Sequence, residues 1–273
     1  MPELPEVETV RKILKKDLIG LKIKSVLVNY PEMIKTNLDE FKKSLIGEEI
    51  LDIKRYGKWL VFETENFSLL SHLRMEGKYF YSEKTSPLKH EHVIFTFDND
   101  KVLRYKDVRK FGVMYLVKKD RLFIDTPLKD LGVDANSEKL EFSYLKDKLY
   151  SKKTYIKTVL LDQGIIAGLG NIYVDEVLFK SGVSPFKKAN LLTDLEIRSI
   201  IDNSKLILDS AITYGGTTIK SYTSSLGVSG SYQDKLLVHT KKICQICNSS
   251  IKVARIGGRS TYYCENCQKG EYE

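Results

Sequence analysis

The chain has 273 residues, 42% of them hydrophobic and 29% charged, which excludes wholesale disorder and makes two domains the sensible expectation. Lys and Arg outnumber Asp and Glu by 44 to 36, and the resulting net charge of +8 fits a polyanionic partner without demanding one. No apolar run approaches the roughly 20 residues of a membrane span, and the residues after Met1 are acidic where a signal peptide would be basic, so a soluble, cytoplasmic protein is expected.

The N-terminal string "MPELPEVETV" places Pro2 directly after Met1, ahead of Glu3, Glu6 and Glu8. Pro2 is small enough for Met1 to be trimmed, which would leave a secondary amine as the first atom. From Pro5 to Gly20 the apolar residues Val7, Val10, Leu14 and Leu18 recur at helical spacing. Pro5 suits a first turn, and Glu6 and Glu8 complement the positive helix end. The helix would hold the terminal amine on a rigid mount.

From about 22 to 118 the pattern changes to short strands: "KIKSVLVNY", "KWLVFETEN", "FSLLSHLRM", "GKYFYSE", "HVIFTFDND" and "KVLRYKDV". Val93, Phe95 and Phe97 alternate with His92, Ile94 and Thr96, and "DNDK" reads as a hairpin turn. An antiparallel sandwich or barrel-like domain over 1–131 is predicted, followed by a polar linker at 132–142. A helical domain over 143–234 follows, in which Thr193 and Glu196 form a capping-box pair ahead of Ile197, Ile200, Ile201, Leu208 and Ile212. The stretch 217–232 is rich in Ser, Thr and Gly and too long for a simple connection. The fold class is therefore α+β, closed by a cysteine-bearing segment at 235–273.

All four cysteines fall in that last segment. "CQIC" at 244–247 and "CENC" at 264–267 give two C-x2-C knuckles sixteen residues apart. Four thiolates at this spacing predict one tetrahedral, structural zinc through Cys244, Cys247, Cys264 and Cys267, because a catalytic zinc keeps an open position. Between the knuckles strand-like residues flank "GG", so a metal-held hairpin would project Arg259, either as a solvated loop residue or as a phosphate clamp.

"AGLGNIYVDEVLF" at 167–179 sets Asn171 before a helical pattern. It reads equally as a tight turn with Asn171 as cap or as a phosphate site at a helix start. Lys146, Lys148, Lys152, Lys153 and Lys157 upstream read as a solvated basic face. Met75 before Gly77 and Arg109 with Phe111 before Gly112 are either ordinary packing residues or protruding wedges of the kind that enter a base stack.

Taken together, "PELPEVET", "GKWL", "LRMEGKY", "KHEH", "DVRKFG", "GLGNIYVDE" and the four-cysteine ribbon with "GGRST" resemble the bacterial formamidopyrimidine-DNA glycosylase family, in order from residue 2 to Cys267. The resemblance implies an N-terminal β-sandwich with a leading helix, a helix–two-turn–helix element built on the Asn171 loop, and a zinc hairpin. It also implies a monomeric, nucleoid-associated repair enzyme acting on double-stranded DNA without a small-molecule cofactor. Such an enzyme flips oxidised purines, 8-oxoguanine and formamidopyrimidines, and cleaves the strand by β,δ-elimination. Carried over by position, Pro2 resembles the nucleophile, Glu3 the acid–base group and Glu6 a supporting carboxylate. Lys58 and Arg259 resemble the proton donors of the elimination steps, with a phosphate-clamp role open for both. His72, His90, Lys153 and Asn171 match backbone-binding positions, and Met75, Arg109 and Phe111 a void-filling trio in which Arg109 reads the orphaned cytosine. Glu76, Thr218 and Tyr222 match lesion-contacting positions, and 217–232 the loop that closes over the flipped base.

"IKSY", "VHTKKIC" and "LGVDA" depart from the family's usual strings, which bears on lesion preference and loop behaviour more than on chemistry. The nearest rival is an endonuclease VIII-like enzyme for oxidised pyrimidines. Leu4 and the complete Met75, Arg109 and Phe111 set favour the purine branch. A non-catalytic zinc-ribbon DNA binder would leave Pro2, Glu3 and Lys58 unexplained.

Overall fold

The computed structural model describes residues 1–83, 85–217 and 230–270, so the expected lesion contacts Thr218 and Tyr222 lie outside the described residues. The chain forms two compact units, residues 1–130 with 215–231 and residues 131–214 with 232–273.

In the first unit, helix α1 runs Leu4–Leu18 and buries the predicted Val7, Val10, Leu14 and Leu18, all four at 0–1% exposure. Each such aliphatic burial contributes roughly 1.5–3 kcal/mol relative to exposure. The helix begins one residue before the expected Pro5, with extended Glu3 as its N-cap, and ends before Gly20. Then come β1 (Ile23–Val28), α2 (Leu38–Ser44), β2 (Asp52–Tyr56), β3 (Trp59–Glu63), β4 (Phe67–His72), β5 (Lys78–Glu83), β6 (Glu91–Phe97), β7 (Lys101–Lys106) and β8 (Val113–Lys118). They make two four-stranded antiparallel sheets, ordered β1-β6-β7-β5 and β2-β3-β4-β8. The six strands expected from pattern are present, and β2 and β8 join them. The predicted alternation on β6 does not translate into exposure, because His92, Ile94 and Thr96 are buried along with Val93, Phe95 and Phe97. Phe62 of one sheet meets Tyr79 of the other edge-on at 5.6 Å, within one core that also takes in Phe41, Phe95 and Tyr105.

Two connections pass between the sheets. Residues 73–77 lead from β4 to β5, and residues 107–112 lead from β7 to β8. They begin and end on neighbouring strands, since His72 pairs with Val113 and Lys78 with Lys106. Antiparallel pairing at both ends therefore makes them side-by-side crossings.

The second unit contains β9 (Val133–Asp134), α3 (Phe142–Tyr150), α4 (Ile156–Leu160), β10 (Ile166–Ala167), α5 (Asn171–Lys180), α6 (Asp194–Thr213) and the hairpin β11 (Lys252–Ile256) and β12 (Arg259–Tyr263). Thr193 and Glu196 cap α6 reciprocally, as predicted. Helix α5 is buried on nearly all sides, and packs against α4, α6 and β12. Its Asp175 and Glu176 are buried too, at 1% and 3% exposure, so each needs partners. The two positive-φ residues Gly257 (+56°) and Gly258 (+76°) close the β11–β12 hairpin, a turn that favours glycine at both central places. Among the described residues no helix is long and apolar enough to cross a membrane.

Candidate active site and nucleic-acid interface

The acidic N-terminal string has three separate structural tasks. Glu3 caps α1, and its backbone N–H donates to Glu6 Oε2 at 2.8 Å, the return contact of a capping box. Glu6 Oε1 accepts the backbone N–H of Thr217 at 2.8 Å and its hydroxyl at 3.2 Å. Glu8 takes a two-pronged contact from Arg11 and a 3.1 Å bond from Arg55 Nε. Burial alone would raise the Glu8 carboxyl, but the Arg11 hydrogen bonds and the Arg55 charge outweigh it and hold the group below its usual range. Pro2, Glu3 and Glu6 are all buried. Glu6 thus ties the chain start to residue 217, at the edge of the described part of the predicted capping stretch. Gly216 is required beside it, because a Cβ there would fall 2.5 Å from Glu6 Oε1.

Arg55 also donates to the carbonyl of Gly57 at 2.9 Å, so it links Glu8 of α1 to the tip of the β2–β3 hairpin. Lys58 occupies that tip and is nevertheless only 5% exposed. The neighbouring Trp59 pairs in register with His72 and packs edge-on against its ring at 4.8 Å. His72 Nδ1 accepts the Arg74 backbone N–H at 2.9 Å, which leaves the proton on Nε2. Burial, with the nearby Arg74 and Lys58 charges, pushes its pKa down to about 3. A neutral imidazole fixed as an N–H donor suits a phosphate oxygen.

The wedge candidates lie on the two crossings. Met75 and Glu76 are half-buried on 73–77, while Arg109 and the half-exposed Phe111 lie on 107–112, the guanidinium 4.6 Å from the ring centre. Asp107, which sequence reasoning missed, organises the second crossing. Its carboxylate accepts the backbone N–H groups of Arg109 (3.0 Å) and Gly112 (2.8 Å), and its carbonyl accepts His92 Nε2 at 2.7 Å. An Asp opening a turn that ends in Gly is a local signal that could have found it. His90 has a φ of +70° and gives its carbonyl to the Asp107 backbone N–H at 3.0 Å.

In the second unit the structure corrects two sequence expectations. Asn171 is not the cap of α5; Gly170 occupies that place in extended conformation and Asn171 is the first helical residue. Its Nδ2 donates to the Ser260 carbonyl at 2.8 Å, while its buried Oδ1 has no hydrogen-bond partner among the described residues. Lys157 is not part of a solvated face but fully buried. Its ammonium donates to Asp175 Oδ1 at 2.7 Å and to the Ser260 carbonyl at 3.1 Å. Asp175 Oδ2 meets His239 Nδ1 at 2.8 Å and accepts the Tyr262 N–H at 3.2 Å. The reason is steric and electrostatic together: with α5 surrounded, its one buried aspartate needs a cation, and Lys157 on α4 is placed to supply it. Glu176 receives three successive N–H groups, from Leu237, Val238 and His239, although burial still raises its carboxyl above the usual value. These bonds anchor the hairpin to the helices and set exposed Arg259 directly before the Ser260 carbonyl that Asn171 and Lys157 share. Lys153 is exposed on the turn ahead of α4.

The four cysteine sulfurs all lie within 4.8 Å of one another, with Cys244–Cys267 at 3.7 Å and Cys247–Cys264 at 3.4 Å. A tetrahedral zinc with Zn–S near 2.3 Å spaces its sulfurs by about 3.8 Å, so the set fits that ion.

Residues 1–114 match the formamidopyrimidine-DNA glycosylase N-terminal domain, 131–223 the H2TH domain of the same enzyme, and 242–270 the zinc finger found in FPG and IleRS. Over 98% of its length the chain is 45% identical to the formamidopyrimidine-DNA glycosylase of Bacillus subtilis (strain 168), covering 99% of that protein. The chain belongs to the formamidopyrimidine-DNA glycosylase family. Solved relatives agree with this placement. A Lactococcus lactis FPG mutant bound to DNA containing Fapy-dG has a TM-score of 0.93 and 40% identity, covering 98% of this chain and all of that one. The Lactococcus lactis enzyme with abasic-site DNA gives a TM-score of 0.92 at the same identity and coverage. The cysteine cluster is accordingly the family's zinc finger, with one structural zinc held by Cys244, Cys247, Cys264 and Cys267.

Proposed function

We propose that this chain is a DNA glycosylase and abasic-site lyase of base-excision repair that removes formamidopyrimidines and 8-oxoguanine from double-stranded DNA. The observation that carries the reading is the buried Pro2-Glu3-Glu6 string, in which Pro2 directly precedes the Glu3 cap of α1 and Glu6 accepts the Glu3 backbone N–H. Loss of Met1 makes the Pro2 nitrogen a secondary α-amine. Such an amine titrates near pH 8, against about 10.4 for a lysine, so more of it is unprotonated at neutral pH. Attack of that nitrogen on the sugar C1′, with loss of its own proton, displaces the base; the C1′–O4′ bond then opens, O4′ taking a proton, and leaves a cationic iminium. The iminium takes the C2′–H electron pair when that proton is removed, and the enamine so formed expels the 3′ phosphate, which leaves with the C3′–O pair. Glu3 moves the proton at the sugar, and Glu6 holds both the Glu3 backbone and Thr217 in place. Lys58 and Arg259 serve the elimination steps or clamp phosphates, and His72, His90, Lys153 and Asn171 take the DNA backbone. Met75, Arg109 and Phe111 fill the space left by the extruded nucleotide, with the Arg109 guanidinium donating to the unpaired cytosine. Glu76, Thr218 and Tyr222 are assigned to contact the lesion. The relatives' complexes with Fapy-dG and abasic-site DNA support the substrate class.

Borohydride trapping tests the proposal on duplexes carrying 8-oxoguanine or a formamidopyrimidine opposite cytosine, beside one carrying an oxidised pyrimidine. A covalent adduct mapped to Pro2 is expected with the purine lesions. No adduct from zinc-loaded protein overturns the enzymatic reading, and an adduct on a lysine peptide overturns the nucleophile. Preference for the oxidised pyrimidine moves the chain to the endonuclease VIII-like branch.

A further inference from the structure

The two crossings that bear the wedge candidates share one buried contact. Tyr105 on β7 is fully buried, pairs in register with Tyr79, and packs against that ring at 5.1 Å. Its phenol end points to where both crossings close. A Cβ placed on Gly77, the last residue of the Met75 crossing, would fall 2.7 Å from Tyr105 Cζ and closer still to the hydroxyl oxygen. A Cβ placed on Gly112, the last residue of the Arg109–Phe111 crossing, would meet the same two atoms, again at 2.7 Å from Cζ. Neither glycine has a φ in the left-handed region, so close approach, not backbone freedom, explains why glycine stands at both places. Each crossing is otherwise held on its own terms, the first by the Gly77 N–H to the Leu73 carbonyl at 2.9 Å, the second by Asp107.

We infer that Tyr105 is a positioning residue for lesion recognition: its hydroxyl is the common stop against which both crossings seat, and it thereby sets Met75 relative to Arg109 and Phe111. The inference rests on the proposal that these three side chains occupy the space of the extruded nucleotide. The physical requirement is simultaneity. A methionine wedge and an arginine base reader on separate loops act on one gap only if their spacing is fixed, and a misplacement of about 1 Å can lower a rate by ~10²-fold. An interior packed to crystal density transmits such a shift, because the crossings have no free volume in which to relax.

The test measures excision of 8-oxoguanine opposite cytosine and opposite adenine, and cleavage of a pre-formed abasic-site duplex, by the full zinc-loaded chain. Tyr105→Phe, which removes one oxygen and keeps the ring, is expected to narrow the cytosine-over-adenine preference by about threefold or more. Its loss of rate should fall more heavily on the paired lesion than on the abasic site. Gly112→Ala is expected to lower lesion excision about tenfold or more, as a misplacement approaching that size requires. The losses from Gly112→Ala and Tyr105→Phe should add less than fully in the double variant, since the three nearest neighbours of the added methyl all belong to Tyr105. Equal loss on all three substrates, or strict additivity in the folded double variant, overturns the inference. Wild-type protein inactive on every duplex would remove the functional proposal and this inference with it, whereas active wild type with proportional losses removes this inference alone.

Discussion

The Thr217 backbone N–H donates to Glu6 Oε1 at 2.8 Å, joining positions 211 residues apart. The same carboxylate takes the Glu3 N–H on its other oxygen. One buried side chain therefore connects the helix cap behind Pro2 to the stem of the segment that the family resemblance assigns to closure over the lesion. Order at that stem and order at the chain start are two readouts of one group.

Glu6→Gln should expose this coupling. An amide keeps the shape but turns one acceptor into a donor facing a backbone N–H, and leaving a buried donor unsatisfied costs ~1–3 kcal/mol. Thermal unfolding is expected to show that loss, and borohydride trapping a lower adduct yield. Gly216→Ala should also destabilise, through the close approach to Glu6 Oε1 and through the backbone strain of a side chain at a φ of +80°. Unchanged stability and trapping in Glu6→Gln would count against the junction.

Lys157 and Asp175 form a buried ion pair that also engages His239 and β12. Lys157→Met leaves the carboxylate short of its cation, for which ~3–5 kcal/mol is the usual cost of breaking such a pair. Denaturant unfolding of the full chain should register it. The double substitution with Asp175→Asn should cost less than the sum of the two singles, because no buried charge is left behind. Additive losses would show that the pair is not the source of the effect.

His72 makes a pH-dependent contribution whose direction is set by its burial. The folded chain holds it neutral down to about pH 3, whereas an unfolded histidine protonates near 6.5. Between those values the unfolded state binds the extra proton. The contribution is complete above pH 6.5 and falls, by up to about 1.4 kcal/mol per pH unit, as pH drops toward 3. His72→Asn keeps an acceptor for the Arg74 N–H and does not titrate, so the decline in stability from pH 6 to 4 should be shallower in this variant. Parallel stability–pH curves would refute the assignment.

Zinc removal should act on the hairpin first. Four thiolates brought within 4.8 Å repel one another once ionised without a cation, and structural zinc supplies about 10–16 kcal/mol of apparent binding energy in isolated fingers. Chelation is expected to unfold β11–β12, release one zinc per chain and weaken DNA binding through loss of Arg259 placement. Full DNA affinity after verified metal loss would contradict the clamp role proposed for Arg259.

Much of this protein was legible before any coordinates. The α1 face, the Thr193–Glu196 cap and the cysteine knuckles are local patterns, in which neighbours a few residues apart dictate the geometry. The zinc ligands are marked by the same short-range logic, and the family motifs make Pro2, Glu3 and Lys58 the candidates for the chemistry. What local pattern did not reveal depends on long-range packing. Lys157 reads as one more lysine in a basic stretch, and becomes a buried counter-ion only because α5 is enclosed and carries Asp175. Tyr105 reads as an ordinary strand aromatic, and gains its place between Gly77 and Gly112 only because two sheet crossings lie side by side. Local pattern carries the α1 face, the reciprocal cap of α6 and the zinc knuckles. Tertiary structure decided which charges are buried, which partners satisfy them and which loops share a stop, because burial and contact are properties of distant segments brought together and leave no periodic mark on the chain.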